Sequence, residues 1–135
     1  MSTVKVNTLT GTTTAGSISV TGEGNSTTTN LQQGLCKAWT NINGEASGPA
    51  SRDSFNVGSI TDVSAGQINY AITNAMANDD YARLVSAGDS GVRRVADTGA
   101  AVSNTSVLGI IITEDMSGSL ADVDDANGVI HGDLA

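Results

Sequence analysis

Apolar and polar residues alternate along many short segments of this chain, which is the pattern of β-strands that bury one face. Gly, Asn and Asp separate these segments and predict turns between them. Strand-like segments occur at residues 4–6, 18–20, 37–43, 55–59, 68–73, 81–85, 91–95, 106–113 and 128–134. The run 106–113 is the most apolar and predicts a central strand. Residues 31–43 also fit a helix, because Leu31 and Leu35 are four apart, but we prefer a turn followed by a strand through Trp39.

Seven to nine short strands joined by turns predict an all-β fold, a small antiparallel β-sandwich or jelly-roll-like domain. We assign this domain to residues 31–135 and an extended N-terminal arm, used for assembly or anchoring, to residues 1–30. Five large apolar residues are the expected structural core: Trp39, Phe55, Tyr70, Ile110 and Ile112. Five others are the expected anchoring residues of the arm: Val4, Val6, Leu9, Ile18 and Val20.

The composition predicts a thin core. Ser, Thr, Gly and Asn supply 58 of the 135 residues, and only four residues are aromatic. Leu, Ile, Val and Phe together make up about 21%, close to the roughly 20% below which chains tend towards disorder. A single copy of so small a domain is expected to be marginally stable. We therefore expect the chain to work as an oligomer or within a larger assembly.

Charge and hydropathy argue against nucleic-acid and membrane partners. The net charge of -8 does not favour nucleic acid, because phosphate contacts need clustered Lys or Arg. No apolar run approaches the roughly 20 residues of a membrane helix, and the N-terminus does not resemble a secretion signal. The arm carries only Lys5 and Glu23 as charged residues, so we expect it to be mobile or laid against a partner.

Candidate catalytic groups are few. His131 and Asp133 are two apart, and in a strand they would share a face as a possible general base. The thiol of Cys36 lies next to Lys37, but a catalytic thiol needs a histidine base. One Cys and one His exclude an internal disulfide and a multi-histidine metal site. We interpret these residues as structural and expect no catalytic site, cofactor or enzyme activity.

The acidic residues near the C-terminus resemble a calcium loop only superficially. With Asp122 in the first position, the sixth residue would be Asn127, where the loop needs Gly, and the twelfth would be Asp133 rather than Glu. We interpret this segment as a turn with solvated carboxylates and expect no metal site.

Longer motifs carry a family resemblance. Residues 35–44 read LCKAWTNING, residues 52–62 read RDSFNVGSITD, and residues 68–76 read INYAITNAM. Together with the start MSTVKVNTL and the ending HGDLA, they resemble a group of short structural proteins of tailed bacteriophages. The chain departs from that pattern at Cys36, where Ala is usual, and at His131, where an aromatic residue is common. Residues 84–120 match poorly.

The resemblance implies a non-enzymatic virion protein on the surface of the phage particle. The leading expectation is a homotrimeric capsid-decorating protein, of the cement or head-fibre type, which binds the major capsid protein through the arm. The alternative is a tail-fibre or tail-tip component that contacts tail proteins, with host surface glycans as a further candidate partner. A carbohydrate-binding module is a further alternative, although four aromatic residues supply few rings for stacking on sugars.

Overall fold

A computed structural model describes residues 3–45, 48–98 and 107–135, with the side chains of residues 107–110 and 112 left out. Strands make up 48% of the chain and helix 3%, so the all-β fold class is confirmed. The chain divides into two units, Met1–Leu35 and Cys36–Ala135. The boundary therefore follows Leu35, whereas the sequence suggested a boundary after residue 30.

The first unit contains a small hairpin and one turn of helix. β1 (Ser19–Thr21) pairs antiparallel with β2 (Thr28–Asn30), and α1 (Leu31–Gly34) follows directly. The side chain of Asn30 caps this helix by accepting a hydrogen bond of 3.1 Å from the backbone N–H of Gln33. The strand predicted at Val4 and Val6 is not formed: that segment pairs with no described residue.

The described part of the second unit contains eight strands in two four-stranded sheets. Their bounds are β3 (Ala38–Asn43), β4 (Ala50–Phe55), β5 (Val57–Ser64), β6 (Gln67–Ile72), β7 (Ala82–Gly88), β8 (Val95–Asp97), β9 (Val107–Glu114) and β10 (Asp125–His131). One sheet has the order β4-β3-β10-β7 and the other β5-β6-β9-β8, and every neighbouring pair is antiparallel. A tight turn at residues 65 and 66 joins β5 to β6.

The core lies between the two sheets, as in a β-sandwich. The first sheet contributes small or aliphatic side chains, among them Ala38, Ile42 and Ile130. The second contributes bulkier ones, including the buried side chain of Tyr70. Gly128 on β10 leaves room for that ring, because a Cβ there would lie 2.9 Å from Tyr70 Oη. The sequence placed Tyr70 in the core, and its side chain is 2% exposed.

Asn56 forms the corner at which the chain leaves one sheet for the other. Its φ of 57° is left-handed, a conformation that Asn tolerates better than most residues. Its side-chain amide donates to Lys37 O at 3.0 Å and to Asn74 O at 3.2 Å, and its Oδ1 accepts from Asn74 N at 2.8 Å. The strand expected through residues 55–59 is therefore interrupted at Asn56.

Two of the expected core residues lie elsewhere. Phe55 is 53% exposed, so its assignment to the core is wrong. Trp39 is half-buried on the face of β3 opposite to Ala38 and Ile42, and so it points away from the core. The physical reason is the strand period of two: alternation tells which residues share a face, not which face is covered. The side chains of Ile110 and Ile112 lie outside the described residues.

Candidate functional site

The outer face of the β4-β3-β10-β7 sheet carries one continuous line of large apolar side chains. In the antiparallel pairing of these four strands, Trp39 lies opposite both Phe55 and Val129, and Val129 lies opposite Leu84. Directly opposed residues of antiparallel strands share a face, so these four side chains cross the sheet from edge to edge. We call Phe55, Trp39, Val129 and Leu84 the apolar row. Its ends are open to solvent, since Phe55 is 53% and Leu84 58% exposed.

The apolar row reverses the usual distribution of side-chain size. On the inward face, β3 presents Ala38, Thr40 and Ile42, all of them buried. The single Trp and the single Phe of the chain lie on the outward face. Scattered exposed apolar residues are common, but a contiguous line of large ones marks an interaction surface. This face is therefore the candidate site of the sandwich.

A second line of residues, parallel to the first, is polar. Asn41 lies opposite Asp53 and Asn127, and Asn127 lies opposite Ser86. We call these four residues the polar row. The amide of Asn41 donates to Asn127 Oδ1 at 2.7 Å and to Asp125 Oδ1 at 3.0 Å. These bonds link the side chains of β3 and β10 and hold them in fixed positions beside the apolar row.

Arg52 completes this network from the edge strand β4. Its guanidinium forms an ion pair with Asp125 Oδ1, the same oxygen that accepts from Asn41. Both side chains of the ion pair remain accessible to solvent, so the pair adds little stability. Its effect is to neutralise one carboxylate on the outer face, two residues along β10 from Asn127 of the polar row.

The candidate catalytic residues are not assembled into a site by any contact that we observe. His131 is the last residue of β10 and is half-buried, whereas Asp133 is exposed beyond the strand. The thiol of Cys36 donates towards the backbone carbonyls of Ala38 at 3.1 Å and Ile130 at 3.5 Å. Those contacts are typical of a structural cysteine.

The acidic residues near the C-terminus also have separate structural roles. Asp122 Oδ1 accepts a hydrogen bond of 2.7 Å from the backbone N–H of Gly66, and Asp125 belongs to the Arg52 network. Within residues 3–45, 48–98 and 107–135, no three acidic, His or Cys side chains form a group that could hold a metal ion. Asp124 lies close enough to Glu45 that its negative charge raises the pKa of the Glu45 carboxyl.

Two further groups with shifted pKa values have structural explanations. Burial raises the pKa of the Tyr70 phenol to about 12, because the charged form is poorly solvated in the core. The carboxylate of Asp115 accepts hydrogen bonds from the hydroxyl and N–H of Ser117 and from the N–H of Ser119, which lower its pKa. Neither group lies on the outer face that carries the apolar row.

The Met1–Leu35 unit, unlike the sandwich, has no buried core among its described residues. In residues 3–35 no side chain is buried, and four of the five expected anchoring residues (Val4, Val6, Leu9 and Val20) are exposed. Ile18 is half-buried. It lies with Leu9 on an open pocket of about 260 Å³. The pocket is lined by Leu9, Ala15, Gly16, Ile18, Leu31, Gln32 and Leu35.

Sequence reasoning missed the face on which these groups meet. Leu84 and Val129 both lie in segments predicted as strands, but local alternation does not show which strands are neighbours. The contact between Asn41 and Asn127 could not be predicted either, since only the pairing of β3 with β10 brings the two residues together. A signal was present in the alternation itself, because Trp39 is out of phase with Ala38 and Ile42.

Comparisons with family models, with curated proteins and with solved structures find no match to this chain. Among the residues described here, no helix is long and apolar enough to span a membrane.

Proposed function

We propose that this chain is a non-enzymatic structural protein of a bacteriophage virion. In this proposal it is a homotrimeric capsid-decorating protein, whose Met1–Leu35 unit attaches to the major capsid protein. The motifs at residues 35–44 and 52–62 support the assignment to a virion through their resemblance to phage structural proteins. The observation that carries the anchoring role is the exposure of apolar side chains in a unit that buries none of its described residues.

An unpartnered apolar segment of this kind gains free energy by docking. Complete burial of a Val or Leu side chain contributes about 1.5–3 kcal/mol. Val4, Val6 and Leu9 are exposed in a segment that carries Lys5 as its one charged side chain, so few charges would need to be desolvated. The acidic charge is concentrated after residue 67, in the sandwich, where it would face solvent and favour solubility.

The test compares two full-length triple variants in reconstituted particles. Val4→Ser, Val6→Ser and Leu9→Ser remove the apolar side chains, whereas Thr3→Ser, Thr8→Ser and Thr10→Ser change neighbouring polar positions as a matched control. We expect the first variant to be lost from purified particles and the control to be retained. Equal retention of both variants would refute the anchoring role.

The location on the particle follows from the ratio of this chain to the major shell protein, measured by quantitative mass spectrometry. Capsid decoration requires a ratio near one or a simple fraction of it. A few chains per hundred shell subunits would instead favour the alternative, a tail-fibre or tail-tip component. That alternative draws support from the exposed Phe55 beside Trp39, since adjacent aromatic side chains can stack on the sugars of host glycans.

A further inference from the structure

We propose that the outer face of the β4-β3-β10-β7 sheet is the contact between copies of this chain, with the apolar row buried against a second copy. This inference deepens the proposed homotrimer and rests on that part of the proposed function. It does not depend on where the protein sits in the virion.

The composition of the apolar row fits the centre of a protein interface. Interface centres are enriched in aromatic residues, and the side chains that dominate binding are often Trp. Trp39 is held in the middle of the row by its position on β3, with Phe55 on one side and Val129 on the other. The polar row beside it supplies the hydrogen-bonding rim that such interfaces usually have.

The size of the apolar row favours a second copy over a small ligand. With strands about 4.8 Å apart, the four side chains span about 14 Å across the sheet. One end is aromatic and the other is the aliphatic Leu84, which offers no ring for stacking on a sugar. The sheets of neighbouring copies are together wide enough to cover the whole row, whereas one sugar ring would leave much of it in water.

The charge of this face is also suited to contact between identical chains. The whole chain has a net charge of -8, so most of its surfaces repel their own copies. The outer face carries the carboxylates of Asp53 and Asp125. Arg52 neutralises Asp125, so the formal charge of this face is only -1. Association through this face therefore meets less repulsion than association through the chain's average surface.

The width of the sheet is compatible with threefold symmetry. Four strands make a sheet about 19 Å wide, and three such sheets around an axis would each lie 5–6 Å from it, about half the spacing of packed sheets. The side chains of the apolar row would fill that space. In this arrangement Phe55, at one edge of a sheet, would meet Leu84 at the opposite edge of the neighbouring copy.

The first experiment measures the mass of full-length variants by light scattering. Phe55→Ser with Leu84→Ser removes both ends of the apolar row, and both positions are exposed, so folding should be preserved. Val63→Ser with Val95→Ser is the matched control, because these residues are 47% and 49% exposed on the two edge strands of the other sheet. We expect Phe55→Ser with Leu84→Ser to raise at least tenfold the protein concentration below which the oligomer dissociates. The control pair should leave that concentration unchanged.

The fluorescence of Trp39, the single tryptophan, reports on the same face. Assembly should shift its emission to shorter wavelength as the concentration of wild-type protein rises over a roughly hundredfold range. A monomer with constant emission would overturn the inference and the homotrimer together. An oligomer that both pairs of substitutions leave intact would overturn the inference alone. A monomer whose emission shifts only when maltotriose, cellotriose or mannotriose is added would show a sugar-binding face instead.

A disulfide tests the neighbour directly. In a Cys36→Ala background, Phe55→Cys and Leu84→Cys lie on opposite edge strands, too far apart for a bond within one chain. Covalent oligomers under mild oxidation are expected for this pair and not for Val63→Cys with Val95→Cys. Equal cross-linking of the two pairs, or none in either, would contradict the proposed contact.

Discussion

Asn56 offers the sharpest test of how the sandwich is held together. It combines a left-handed backbone, with φ at 57°, and a side chain that ties β4 and β5 to two other segments. Its amide bonds the carbonyls of Lys37 and Asn74, and its Oδ1 accepts from the N–H of Asn74. The substitution Asn56→Ala removes these bonds and keeps a Cβ in the left-handed conformation.

The cost can be estimated from these two effects. A hydrogen bond contributes about 1 kcal/mol net to the free energy of unfolding. The two bonds to Asn74 are exposed and contribute less than the bond to Lys37, so we expect the loss of all three to cost about 2 kcal/mol. The left-handed conformation costs Ala about 1 kcal/mol more than Gly. We therefore expect Asn56→Ala to lower the free energy of unfolding by about 3 kcal/mol and Asn56→Gly by about 2 kcal/mol.

Urea unfolding measures both variants against wild type, with the midpoint falling and the slope unchanged. Asn78→Ala is the matched control, because Asn78 accepts one exposed hydrogen bond, from the N–H of Asp80, and has no positive φ. Its cost should stay below about 1 kcal/mol. If Asn56→Ala unfolds at the wild-type midpoint, or if Gly costs more than Ala, the reasoning about this corner is wrong.

Three other predictions concern ion pairs and packing in the Cys36–Ala135 unit. Arg94→Ala should cost about 3 kcal/mol in urea unfolding, because it leaves the Asp89 side chain, 8% exposed, without its cation; Arg52→Ala should cost under about 1 kcal/mol, and equal costs would contradict this. Because the Tyr70 pKa is raised to about 12 from 10, its contribution to stability should be complete below pH 10 and lost as the pH rises through 12; unfolding midpoints unchanged over that range would refute it. Gly128→Ala should cost about 1–3 kcal/mol by crowding the Tyr70 ring, and Tyr70→Phe, which removes the nearest atom, should reduce that cost in a double-mutant cycle.

The strands themselves were largely predictable, because each depends on local alternation and on turn residues. The segments predicted at residues 37–43, 68–73 and 128–134 overlap β3, β6 and β10. The preference for a turn followed by a strand over a continuous helix at residues 31–43 is confirmed, with one helical turn at Leu31–Gly34. β8 begins at Val95, where the predicted strand at residues 91–95 ends, since Asp89 and Val92 form a tight bridge instead.

The arrangement of the strands was not predictable, because it depends on pairing over long sequence distances. β3 pairs with β10 across more than eighty residues, and this pairing alone brings Asn41 to Asp125 and Asn127. Nothing local to Asn41 indicates those partners. The first unit extends to Leu35 instead of ending at residue 30, because α1 follows β2 directly and contacts it.

The assignment of the core failed where size was used as a guide to burial. A two-residue period assigns Ala38, Thr40 and Ile42 to one face of β3 and Trp39 to the other, and the larger side chain was assumed to lie inside. The opposing sheet decides otherwise: Tyr70 fills the space between the sheets so closely that β10 needs Gly128 opposite the ring. The inward face of the β4-β3-β10-β7 sheet therefore accepts only small and aliphatic side chains, and the bulky ones are left outside. Their exposure in one copy is the physical reason to expect that a second copy covers them.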